Sequence, residues 1–362
     1  MRYRAPRGEG ATPANLPVTR EAAARTKSTI SKLSVFQRAI VLFVRRCEPV
    51  QAAGLREANR RPGPPYTQSS MAIQFTARRL LRRVILAAAV LVVFWGGLVI
   101  FEESMIFFPA RDPLPVQGRR TIAGCTVTDH LIQTEDGVSL HARLFEPSAS
   151  TSAGSGLVLL FFHGNAGNLS GRDELMLQLA GLGADVLIFD YRGYGHSEGR
   201  PSERGLYRDA RAAWRFLTED RAVPSERIVL FGKSLGGAAA VHLATEVRPA
   251  GLIVQSSFTS IPDLAARFYP FVPQFLIRTR MESVRKIGKV DCPTLVIHSN
   301  ADEIVPFAMG RQLFEEAREP KWFYEVEGAG HNETLAVGGG LYLEAIGDFL
   351  TRLTVNDVKR DS

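Results

Sequence analysis

From Arg119 onward, short apolar and β-branched runs alternate with stretches of helical spacing, and this alternation restricts the fold more than any other feature of the chain. Two runs, VTDHLIQT and VSLHARLFE, are separated only by the turn Glu135-Asp136-Gly137, which predicts an antiparallel start. LVLLFF then precedes a helix from about residue 170, DVLIFD precedes one over about 203–221, and RIVLF leads into LGGAAAVHLATEV. GLIVQS, PTLVIHS with a helix from about 306, and KWFYEVE with a closing helix through 349 complete the series. Such repetition needs right-handed crossovers and gives the α/β class: a mainly parallel sheet with flanking helices. The interval 257–290 breaks the rhythm, with Pro262, Pro270 and Pro273 among aromatics and leucines. It predicts a small cap insertion over the carboxyl edge of the sheet. The globular domain is expected at 119–352, with 353–362 as a tail.

Upstream, residues 84–101 read VILAAAVLVVFWGGLVIF, eighteen residues without a charge. At about 1.5 Å per helical residue they nearly cross a hydrocarbon core about 30 Å thick. A cleaved signal peptide would have a shorter apolar region, about 7 to 15 residues, and a clear small-residue cleavage site. A twin-arginine export signal is a weaker alternative, and a buried core helix weaker still, because the segment is apolar on every face. The sequence predicts one transmembrane signal anchor at 84–101 and a connection at 102–118. Arg78, Arg79, Arg82 and Arg83 abut the helix, whereas Arg111, Arg119 and Arg120 lie farther beyond it. That asymmetry predicts a cytoplasmic amino terminus and a globular domain outside, in a bacterial periplasm or an equivalent lumen.

Charge is as unevenly placed as hydropathy. Residues 1–70 carry 13 Lys or Arg against 4 Glu, residues 71–101 add four arginines, and the remaining 261 hold 27 basic against 33 acidic side chains. The basic balance therefore belongs to the amino-terminal part, and the rest has no nucleic-acid footprint, so no nucleic-acid partner is expected. Within 1–70 only 30–44 has amphipathic character. Two readings stay open: a disordered cytosolic tail touching anionic lipid, or a stretch ahead of the true start, since Met71 opens the basic leader MAIQFTARRLLRR. Cys47, Cys125 and Cys292 have neither metal spacing nor a disulfide framework, and read as buried free thiols.

FGKSLGG, at 231–237, admits two chemistries. A phosphate-binding loop needs a glycine five positions before Gly-Lys-Ser, and that position is Arg227. Gly232, Ser234 and Gly236 instead fill Gly-x-Ser-x-Gly between a strand and a helix, the setting of a nucleophile elbow. In a doubly wound sheet reactive groups gather beyond the carboxyl ends of strands. Ser234 follows RIVLF, Asp302 follows PTLVIHS, and His331, in EGAGHNE, follows KWFYEVE. A serine hydroxyl is a poor nucleophile until a neutral imidazole accepts its proton, and the imidazolium needs a fixed carboxylate. His331 and Asp302 are the candidates for those tasks. The N–H groups of Leu235 and of Asn165, in FFHGNAGN, are the candidate oxyanion donors. His196, in DYRGYGHSEG, is the rival base, Asp291 lies at the wrong end of its strand, and His163, His242 and His298 read as structural. Asp190 and Arg192 read as an ion pair or hydrogen-bond brace.

HGNAGN, DYRGYGHSEG, GKSLGG, HSNADEIVP and GAGHNE, taken together and in this order, resemble the α/β-hydrolase superfamily. Within it they resemble the membrane-anchored branch with lysophospholipase-like and protein-depalmitoylase-like members. The resemblance covers roughly 98–352, including ESMIFFP after the anchor, and leaves 1–70 outside. It implies an α/β-hydrolase fold and hydrolysis of carboxylic esters or thioesters with no metal or organic cofactor. The leading expectation is a membrane-anchored serine hydrolase of lipid-like acyl esters. An aminopeptidase-like hydrolase stays open, because Glu303 or Glu333 could hold a substrate amino group, as does a non-catalytic ligand receptor on the same fold.

Overall fold

The computed structural model describes residues 68–112, 116–148 and 156–358. The expectations for 1–67, including the amphipathic piece and Cys47, lie outside the described residues. Helix α1, Gln68–Ile106, contains the uncharged run and continues past it. Its window Arg79–Gly97 is long and apolar enough to cross a membrane, by length and composition.

Nine strands form one sheet among the described residues, in the order β1-β2-β3-β5-β4-β6-β7-β8-β9. Cys125–Gln133 (β2) and Ser139–Pro147 (β3) are the expected antiparallel pair, joined through the Glu135-Asp136-Gly137 turn. The sequence reading missed β1, Arg119–Ile122, which pairs antiparallel with β2. It is four residues long with two arginines, and its turn places Ala123, not only Gly124, at positive φ, so neither composition nor turn chemistry marks it. Val158–Phe162 (β4), Asp185–Phe189 (β5), Ile228–Lys233 (β6), Gly251–Gln255 (β7), Thr294–Ser299 (β8) and Lys321–Val326 (β9) are parallel.

Alternate residues of each central strand feed two cores. On one face Ile228 and Leu230 pack with helices Glu203–Arg215 (α3) and Leu235–Ala244 (α4); on the other, Val229 and Phe231 pack with Asp173–Ala180 (α2) and Thr334–Val358 (α8). The chain thus leaves β4 toward one face and β6, its direct neighbour, toward the other. Loops that part in this way open a crevice at the carboxyl edge. Cys125 and Cys292 are buried and free, and burial pushes their thiols up to about 11 and about 12.

Between β7 and β8 lie three short elements: α5, Ile261–Phe268; a single 3-10 turn, Gln274–Leu276; and α6, Ser283–Ile287. Ser260 caps α5 by accepting from the Asp263 N–H, and Pro262 occupies the first turn, where a missing N–H costs nothing. After β8, α7 spans Phe307–Glu316.

Candidate active site

Ser234 joins β6 to α4 with φ +53° and ψ −117°, a conformation that L residues rarely hold. The Ser234 N–H donates to the Gln255 carbonyl at 2.8 Å, and its own carbonyl accepts from Ser257 Oγ at 2.8 Å, so two bonds from the β7 edge hold the strained residue. The flanking glycines answer to space. A Cβ on Gly236 would collide with the Phe162 carbonyl, and one on Gly232 with the backbone of Gly236 and Gly237. The missing side chain of Gly236 therefore lets β4 run against the elbow, and that of Gly232 lets the first turn of α4 fold back onto β6.

His331 stands in the loop between β9 and α8. Its Nε2 lies 3.0 Å from Ser234 Oγ, and its Nδ1 lies 2.7 Å from Asp302 Oδ2. Asp302 follows β8, and its other oxygen accepts the N–H groups of Ile304 at 2.9 Å and Val305 at 2.7 Å. Burial by itself pushes the Asp302 carboxyl up, but the His331 bond, the Val305 N–H and nearby His298 together hold it below the usual carboxylate range. The structure therefore brings Ser234, His331 and Asp302 into one hydrogen-bonded line. His298 lies 3.5 Å from Asp302 with its Nε2 2.9 Å from the Val305 carbonyl, and burial pushes its pKa down. Its contact with the Val305 carbonyl braces the aspartate's loop.

The loop after β4 runs against the serine: a Cβ on Gly164 would sit 3.6 Å from Ser234 Cβ. In that loop Asn165 is tied on three sides. Its Oδ1 accepts from Tyr194 Oη at 2.9 Å and from the Phe108 N–H at 3.1 Å, and its Nδ2 donates to the Ile106 carbonyl at 2.5 Å. The Leu235 amide opens α4 and so belongs to the four that a helix leaves without an intrahelical acceptor.

Two supports escaped the sequence reading. Arg172, just before α2, donates to the carbonyls of Ala166 at 2.5 Å, Asn168 at 3.2 Å and Gly164 at 3.4 Å, and so clamps the loop that carries Asn165. Glu303 accepts the His331 N–H at 2.9 Å, while Glu333 accepts the Gly330 N–H at 3.3 Å. No short motif signals either contact.

The other candidates have different neighbours. His196 lies 3.9 Å from Asp112 and edge-on to the His141 ring, and His242 stacks on Tyr207 at 3.5 Å beside Glu246. His163 braces its own loop through Gly164, with Asp190 3.4 Å away, while Asp190 accepts the Leu169 N–H. Arg192 pairs with Asp136 and Asp209 rather than with Asp190. Asp291 forms an exposed pair with Arg318. Among the described residues no group of three or more His, Cys, Asp or Glu side chains is arranged to hold a metal ion.

Comparison with known proteins follows the same outline. Residues 155–279 match the Hydrolase_4 family model, described as serine aminopeptidase, S33. An uncharacterized protein of Mycobacterium tuberculosis is 41% identical over 264 residues, covering 72% of this chain and 92% of the other. The Arabidopsis thaliana α/β hydrolase domain-containing protein WAV2 is 32% identical over 288 residues, covering 73% and 92%. The human α/β hydrolase domain-containing protein 17B is 34% identical over 199 residues, covering 55% and 67%. A solved esterase from Pyrococcus furiosus aligns with a TM-score of 0.55 at 20% identity, covering 68% of this chain and all of the other, a likeness of fold.

Proposed function

Because the chain belongs to the α/β-hydrolase superfamily, we propose that it is a serine hydrolase of carboxylic esters or thioesters, held at a membrane by α1 and acting on lipid-like acyl groups. The observation that carries the reading is the continuous line from Ser234 Oγ through His331 to Asp302, at 3.0 Å and 2.7 Å.

In the proposed reaction Ser234 Oγ attacks the acyl carbon while His331 Nε2 takes its proton. Asp302 holds Nδ1 protonated, and its negative charge balances the imidazolium. The carbonyl oxygen, now an anion, would accept the N–H groups of Leu235 and Asn165. When the intermediate collapses, the carbon–oxygen or carbon–sulfur bond to the leaving group breaks and His331 returns the proton to that group. Water then attacks the acyl-serine as His331 takes its proton, and the intermediate collapses to the acid while His331 returns that proton to Ser234 Oγ. No metal or organic cofactor enters these steps.

The lipid-like substrate class rests on α1 and on the aromatic and aliphatic segment between β7 and β8. An amide-cleaving alternative is suggested by the name of the matched family model, but Glu303 and Glu333, the carboxylates available for a substrate amino group, already accept backbone N–H groups of the His331 loop. A fluorophosphonate should label Ser234, and Ser234→Ala should lose about 10⁴- to 10⁶-fold in turnover of p-nitrophenyl esters. Retention of more than about a tenth of the activity in that variant would sink the assignment. A panel of acyl esters against amino-acid amides separates the two substrate classes.

A further inference from the structure

Residues 268–277 read FYPFVPQFLI, ten residues without a charge, between Arg267 on one side and Arg278 and Arg280 on the other. Phe268, Tyr269 and Phe271 are exposed, and Phe275 is 82% exposed, a concentration of large apolar side chains that water disfavours. The segment's place beside α1 gives a depth to this patch. The buried carboxylate of Glu102, directly after the uncharged run, accepts the N–H groups of Thr279 at 2.6 Å and Arg278 at 3.1 Å. From that tie the chain segment lies back along the helix. Pro273, Phe275 and Leu276 line one apolar groove of about 590 Å³ with Leu91, Val92 and Trp95 of α1. These three helix residues precede Glu102 by seven to eleven positions, about 10 to 16 Å along the axis at 1.5 Å per residue.

We propose that residues 268–277 form a second membrane contact, an apolar finger inserted beside α1 into the bilayer leaflet on the side of the hydrolase domain. The proposal rests on the reading of α1 as a membrane span: if the helix is in hydrocarbon at Leu91 to Trp95, the side chains that share its groove are there too. Backbone polarity fits that place. Pro270 and Pro273 have no N–H, and the amides of Tyr269, Val272, Leu276 and Ile277 donate within the segment or to α5, which lowers the cost of leaving water. At its base Arg267 is exposed, while Arg278 pairs with Glu102 at 3.4 Å and Arg280 with Glu282 at 3.2 Å. At about 10 to 16 Å beyond Glu102 the finger would reach deeper than an apolar face lying in the interface, which enters by about 5 to 10 Å. Lipid chains would fill the groove, and the interval between β7 and β8 would be fixed to the bilayer from which an acyl substrate arrives.

The test uses the full chain in vesicles of phosphatidylcholine and phosphatidylglycerol, with an environment-sensitive fluorophore on one introduced cysteine and Cys47→Ser in every variant. Phe275→Cys and Val93→Cys should both be quenched by doxyl-labelled lipid, by about twofold or more, while Glu226→Cys, at the opposite edge of the sheet, should not. Quenching at 93 without quenching at 275, and iodide reaching 275 from water, would overturn the finger and leave the anchor standing. No quenching at 93 would overturn both. Fluorophosphonate labelling of Ser234 in the same samples reads the hydrolase assignment independently.

Discussion

At the scale of single residues, Ser234 shows how the fold spends stability on chemistry. Its positive φ costs about 1 to 3 kcal/mol and persists because the bonds to Gln255 and Ser257 and the bare Cα atoms of Gly232 and Gly236 leave the turn no alternative. Asp302 holds the opposite role, a charge kept in place by two N–H groups and His331. Asp302→Asn keeps the shape but presents the wrong partner to Nδ1, and kcat on a soluble ester should fall about 10⁴-fold at neutral pH. An unchanged kcat would remove the aspartate from the proposed relay. Because the Asp302 carboxyl is held below its usual range, it stays ionised in mild acid.

At the scale of elements, the loop from β4 to α2 is positioned from outside itself. Arg172 offers one guanidinium to three loop carbonyls, and Asn165 is tied to Tyr194, Phe108 and Ile106. Arg172→Gln is too short to span those acceptors. It should slow both ester turnover and the rate of fluorophosphonate labelling by about 10²-fold, as expected when an oxyanion donor drifts by about 1 Å. Equal labelling rates in variant and parent would show that the clamp is structural only. The end of α1 enters the same account, because Phe108 and Ile106 are bonded to Asn165. The segment leaving the proposed membrane helix thus touches the residue proposed to hold the oxyanion.

At the scale of the whole molecule, buried histidines set the response to acid. Burial pushes the pKa values of His130, His141, His163, His242 and His298 down. An unfolded chain would take up protons at these positions near pH 6.5 that the folded chain refuses, so stability should fall as pH drops below about 6.5. Asp209, raised to about 6 by burial, and Asp185, also raised by burial, work in the other direction, but they are two groups against five. Asp129, Asp136 and Asp302, held low in the fold, add their loss below about pH 4. Urea midpoints that rise from pH 7 to pH 5 would refute this ordering. The proposed orientation belongs to this scale too. Four arginines within α1, just before its uncharged run, favour a cytoplasmic amino terminus, so a phosphatase reporter fused after Ser362 should be active outside the cytoplasm. An inactive reporter with a protease-protected hydrolase domain would mean the reverse topology.

Much of this molecule could be read from local pattern. Short continuous apolar runs reveal the parallel strands and helical spacing reveals most helices, since a strand covered on both faces is apolar throughout whereas a helix buried on one face repeats with its turn. The elbow was legible at Gly232, Ser234 and Gly236 because a sharp strand-to-helix turn demands small residues at fixed offsets. Strand β1 left no such trace, being short, half exposed and turned through Ala123. The sheet order that sets β4 between β5 and β6, the Arg172 clamp, the Glu303 bond to the His331 loop and the groove shared by Phe275 and Trp95 were decided only by tertiary structure. Each joins groups that no short-range repeat relates: periodicity reports which face of an element is buried, whereas a pairing across the fold depends on the path the chain takes between them.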